Sequence, residues 1–110
     1  MGFLFGKKQT VQAMAEVLED GREITNREMS RLKYNEYHGK EPMLEIGVRV
    51  LPEYEVPYEA KMKAGLSSTF LLVPGVQVRV KVEADKRERV ELDDDVQSIV
   101  DRNPQLVKKE

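Results

Sequence analysis

Four valines at every second position, Val76, Val78, Val80 and Val82, alternate with Gln77, Arg79, Lys81 and Glu83 inside the stretch from Leu72 to Asp85. A period of two is the mark of a strand with one buried and one wet face, because successive side chains leave a strand on opposite sides. Pro74-Gly75 directly before it reads as a turn: proline pre-sets one dihedral and glycine supplies the left-handed one. A half-buried strand needs partners, and the rest of the chain supplies them.

Met43 to Leu51 alternates Leu44, Ile46, Val48 and Val50 with Glu45, Gly47 and Arg49. Gly47 inside that run predicts a bulge or a bend of the kind found at a barrel corner. Tyr58 to Ala64 alternates again, with Tyr58, Ala60, Met62 and Ala64 inward. Thr10 to Glu19 offers Val11, Ala13, Ala15 and Val17 on one face, followed by Asp20-Gly21 as a hairpin-type turn. Glu88 to Leu92 is a closing strand with Val90 and Leu92 inward. Gly65 to Thr69 reads as loop or one helical turn, and Phe70 to Val73 as a buried apolar plug.

Two stretches break the period of two. In the polar insertion 22–42, Thr25-x-x-Glu28 matches a capping box at the start of a helix, which would place Met29 and Leu32 on one side. The competing reading is an extended polar hairpin closed by His38 to Pro42. After Asp93-Asp94-Asp95 the apolar residues Val96, Ile99 and Val100 fall three and four apart, so a short helix starts there. Asp94 or Asp95 serves as its N-cap and Pro104 ends it at about Asn103.

The expected fold is therefore all-β: a small antiparallel β-barrel, OB-like or SH3-like, with a short C-terminal helix and a polar insertion after the first strand. The chain divides into an apolar N-terminal tip (1–9), the barrel (10–93) with its insertion at 22–42, and the C-terminal helix with a charged tail (94–110). The length of 110 residues suits one domain.

The order of these elements is similar to that of small bacterial β domains of unknown function, whose hairpin reads Gly-x-x-Val-x-Val before a short Val-x-Leu strand. Gly75 to Val80 and Arg89 to Asp93 carry the likeness, within Glu45 to Asp93, with Ala84-Asp85-Lys86 at the turn. The resemblance implies a fold and a scaffold or accessory role, and brings no catalytic residues with it.

Composition narrows the function. There is no cysteine, which excludes disulfides and thiolate metal sites, and a net charge of −2 lacks the excess of a non-specific nucleic-acid binder. No apolar run approaches the roughly 20 residues of a membrane span. Phe3-Leu4-Phe5 precedes Lys7 and Lys8, the wrong order for a signal peptide, and Gly6 stands where myristoylation wants Ser or Thr. The expected location is cytoplasmic. His38, the one imidazole, lies in a polar stretch without a positioned partner. Asp93 to Asp95 lack EF-hand spacing, and no nucleophile elbow surrounds Ser67, Ser68 and Thr69. No catalytic, metal or cofactor residue is therefore expected.

Binding is the remaining class. The leading expectation is a non-enzymatic accessory module that contacts another protein through Phe3, Leu4, Phe5, Tyr34 and Tyr37, since aromatic residues suit interfaces. A second is an OB-like nucleic-acid or ribosome-associated binder using the outward Arg49, Lys61, Lys63, Arg79 and Lys81. Glu45, Glu59 and Glu83 interleave with these bases, however, and no outward aromatic offers a stacking platform. A third is a membrane-surface accessory protein held by the apolar tip.

Overall fold

The computed structural model describes the backbone of residues 9–32 and 42–107, and the side chains of 9–28 and 42–107. Phe3, Leu4, Phe5, Tyr34, Tyr37 and His38 lie outside the described residues, as do the side chains of Met29 and Leu32.

Five strands form the expected barrel: β1 (Thr10–Val17), β2 (Met43–Leu51), β3 (Tyr58–Gly65), β4 (Gln77–Glu83) and β5 (Val90–Leu92). They close in the order β1-β2-β3-β5-β4, with β1 pairing β4. That cyclic order closes the sheet into the small barrel expected. One pair, β3 with β5, is parallel, so the barrel is antiparallel except along this lane. The alternation predicted from the valines is the burial pattern observed: Val76, Val78, Val80 and Val82 face in, opposite Ile46, Val48, Val50 and Met62. Each such side chain contributes about 1.5–3 kcal/mol on leaving water. The Pro74-Gly75 turn is present, with Val76 N–H donating to Val73 O at 3.1 Å and Gly75 at φ 95°.

The helices gather at one end of the barrel. Asp20-Gly21 is not a hairpin turn but the start of α1 (Gly21–Leu32). Asp20 Oδ1 accepts from Arg22 N at 2.9 Å, as an N-cap does. The insertion is thus helical over Gly21–Leu32, its cap at Asp20 five residues earlier than the Thr25 capping box predicted. Thr25 instead sits within the helix, its Oγ1 2.6 Å from Thr69 Oγ1. Thr69 closes the short α2 (Leu66–Thr69) between β3 and β4. Together Ile24, Leu71 and Leu72 plug this end of the core. Phe70 is not part of the plug; it is 52% exposed.

α3 (Val96–Arg102) lies against the start of β4 and buries Ile99. The three aspartates before it do three different things. Asp93 Oδ2 accepts from Gln12 Nε2 at 3.2 Å. Asp94, whose side chain is fully buried, accepts from Arg102 Nη1 at 2.6 Å and from the Arg79 amide at 3.0 Å. Asp95 is the N-cap, and the Ser98 amide it accepts holds its carboxyl below the usual value.

Where β1 leaves the ladder, the amides of Leu18 and Glu19 both donate to Gly47 O, at 2.9 and 3.3 Å. The extra residue thus lies on the β1 side, opposite Gly47, whereas β2 itself passes through Gly47 in unbroken register with β3, so the bulge expected inside β2 falls on its neighbour. Glu19 Oε1 in turn accepts from the Gly47 amide at 2.7 Å and from Lys61 Nζ at 3.1 Å. Those two contacts, the amide first, hold the Glu19 carboxyl below its ordinary range. A depressed folded pKa stabilises at neutral pH, and the gain disappears as pH falls through the folded value. Glu19→Gln is therefore expected to cost about 0.5–1 kcal/mol at pH 7, no more, since the site is half exposed and screened. In urea titrations the gap to wild type should close as pH falls from neutral through the ordinary glutamate range and below it, where the carboxylate takes up its proton. A gap that stays constant over this range would remove the carboxylate from the account.

Candidate functional groove at the open end of the barrel

The helices close one end of the barrel, and no described helix covers the other. At that second end the chain leaves β2 through Pro52 to Pro57 and leaves β4 through Ala84 to Arg89. Between them lies a groove of about 360 Å³. Its floor is the last inward layer of the barrel, Val11 and Ala13 from β1, Val50 from β2 and Val82 from β4. Its walls are Tyr54, Tyr58 and the stem of Arg87, and Glu53, Glu55 and Glu83 line its rim. The volume and the apolar floor with a few polar groups fit a recognition pocket.

Arg87 organises the walls. Its Nη2 lies 2.9 Å from Glu55 Oε1, which ties the β4–β5 turn to the β2–β3 connector. Its guanidinium sits 4.5 Å from the centre of the Tyr58 ring, a cation–π distance. Tyr58 Oη donates to Arg87 O at 2.8 Å. The same end carries apolar groups left in water: Tyr54 is 89% exposed, Val56 80% and Val11 57%. An apolar cluster of this kind around a concavity marks contact sites more often than scattered single residues do. The arrangement offers van der Waals contact, aromatic faces and an acidic rim.

The sequence reading had Tyr58 inward, and the ring is half-buried against the core. It did not single out Val11, Tyr54, Val56 or Arg87. A usable signal was there: Glu53-Tyr54-Glu55-Val56-Pro57 puts an aromatic and a valine in a connector, where turn chemistry favours small polar residues.

The five outward cations are not brought into one patch. Arg49 is on β2, Lys61 and Lys63 on β3, Arg79 and Lys81 on β4, with β1 and β5 between the groups. Carboxylates interleave with them. Arg49 lies 3.8 Å from Glu59, Lys61 3.1 Å from Glu19, Arg79 3.5 Å from Asp94 and Lys81 3.7 Å from Glu91. Lys63 has no ion pair among the described residues, but its cross-strand neighbours are Glu45 and Glu91. Across the sheet this gives the row Glu45, Lys63, Glu91, Lys81, alternating in sign.

Among the described residues no helix is long and apolar enough to cross a membrane. Comparison with protein-family models, curated proteins and solved structures gave no match, so the reading of the groove rests on its own geometry.

Proposed function

We propose that this protein is a non-enzymatic binding module of the cytoplasm that engages another protein at the open end of its barrel. The observation that carries the reading is the groove itself: a concave apolar floor, two tyrosines and an acidic rim at the end the helices leave uncovered. It moves the expected contact surface from residues outside the described region to Val11, Tyr54, Val56 and Tyr58. The interleaved carboxylates argue against the outward cations as a polyanion surface, because alternating charges leave no continuous positive track for a phosphate backbone.

The test is affinity capture from host lysate with the whole chain and with a Tyr54→Glu/Val56→Glu variant. Both positions are solvent-exposed, so the variant should fold with an unchanged melting temperature. The expected result is a partner protein retained by wild type and reduced at least tenfold with the variant, since a charge forced into an apolar contact opposes binding by more than 1 kcal/mol. Equal capture by both forms would sink the groove reading. Recovery of nucleic acid released by salt would instead support the OB-like binder.

A further inference from the structure

The groove has a feature beyond shape: one of its sides is an unpaired strand edge. The backbone parity of β1 can be read from three bonds. Gln9 O accepts from Ala84 N at 2.9 Å, Val17 N donates to Val76 O at 2.8 Å, and Val17 O accepts from Gly75 N at 2.9 Å. Odd-numbered residues of β1 therefore present their N–H and C=O to β4, and even-numbered residues present theirs to the β2 side. On that side the pairing with β2 runs only from Val17↔Val48 to Met14↔Leu51. Beyond Leu51 the chain leaves β1 through the Pro52 to Pro57 connector. Thr10 and Gln12 are thus left facing an empty lane, with no described strand beside them.

The lane borders the groove. Val11, between the two unpaired residues, drops its side chain onto the groove floor. A strand laid along the lane would bond to Thr10 and Gln12 and place alternate side chains beside Val11, over Val50 and Val82. Its ends would meet Glu53, Glu55 and Glu83. Glu55 is already paired with Arg87 and Glu83 lies 3.7 Å from Arg89, whereas Glu53 has no ion pair among the described residues and is the carboxylate a basic flank would meet.

We propose that the groove takes an extended peptide segment of a partner protein by strand addition to β1. The segment runs antiparallel to β1 in the lane that β2 vacates, alternates apolar residues, and is flanked by Lys or Arg. Main-chain bonds give the affinity, and the apolar floor and acidic rim select the sequence. This inference rests on the binding-module reading and adds the chemical class of the partner.

The probe is a labelled heptapeptide, Lys-Val-Thr-Leu-Thr-Val-Lys, titrated into the whole chain by fluorescence anisotropy. In the added strand the Thr amides point at β1 and the Val and Leu amides point away. N-methylation of the two Thr residues should weaken binding at least tenfold, and N-methylation of Leu should change it less than threefold. Amide exchange at Thr10 and Gln12 should slow on binding, and Glu53→Lys should weaken the peptide several-fold at low salt. Equal affinity of the two methylated forms would overturn strand addition while leaving a groove that binds. If the whole chain binds nothing but its F3S/L4S/F5S variant binds the peptide, the occupant is the chain's own N-terminal segment and the partner proposal fails. Absence of binding to both forms would overturn it as well. Failure of the underlying reading is seen separately, as lysate capture indifferent to Tyr54→Glu/Val56→Glu.

Discussion

Asn103→Ala is expected to lower stability by about 3 kcal/mol, a fall in melting temperature of roughly 15–20 °C for a domain of this size. The side chain is buried at the end of α3 and makes three bonds. Its Oδ1 accepts from Gln77 N at 2.7 Å, and its Nδ2 donates to Gln77 O at 2.8 Å and to Ile99 O at 2.7 Å. The amide thus stands in for a neighbouring strand at the first residue of β4 and at the same time fastens the helix. Alanine orphans the Gln77 amide and strips one donor each from Gln77 O and Ile99 O, which keep only Arg102 Nη1 at 3.4 Å and the residue-103 amide at 3.0 Å. Asn103→Asp is the sharper variant, because it keeps size and the acceptor but loses both donations. It should destabilise at least as much as alanine. Urea unfolding of both variants decides the matter: an Asp variant as stable as wild type would mean that the latch is misread.

Gly21→Ala should cost about 3 kcal/mol, with the opposite sign to intrinsic helix preference. Gly21 is the first residue of α1, and propensity alone would favour alanine by up to about 1 kcal/mol. The backbone, however, comes too close to the α2–β4 connection. Gly21 N donates to Leu72 O at 2.6 Å, and an added Cβ would press on Thr69 O and lie 2.7 Å from Leu72 O. Both are backbone atoms inside the plug, so relief requires α1 to move off the barrel end. Gly75 provides the contrast. Nothing lies within 4 Å of its added Cβ, but its φ of 95° is left-handed. Gly75→Asn should therefore be tolerated to within about 1 kcal/mol, because asparagine visits that region, while Gly21→Asn should not. Thermal melts that rank Gly21→Ala as stable as wild type would show that the helix docks less tightly than described.

These expectations divide along a physical line. Whatever depended on residues close in sequence was legible before the fold was known. The valine alternation gave β4, and the same period gave β2 and β3. Pro74-Gly75 gave the turn and Asp95 gave an N-cap, because strand faces, turns and caps are set by neighbours within about four positions. The errors came where one local signal serves two structures. Asp20-Gly21 suits a hairpin turn and a helix start equally, and the choice is made by Leu72 and Thr69, some fifty residues away. Phe70 stands in an apolar run yet faces water, since the barrel end has room for Leu71 and Leu72 only.

The candidate site belongs to the second kind almost entirely. Tyr54 and Val56 carried a weak local cue. Nothing near Arg87 in sequence announces its bond to Glu55 or its place over Tyr58, and nothing in Thr10 to Ala13 announces an unpaired edge. By itself, the sequence determined which residues form strands and which faces they bury, because those depend on period and side-chain polarity. Only the tertiary structure decided which end of the barrel the helices close and where β2 leaves β1 without a partner, because both follow from long-range strand register and from the space left between distant segments.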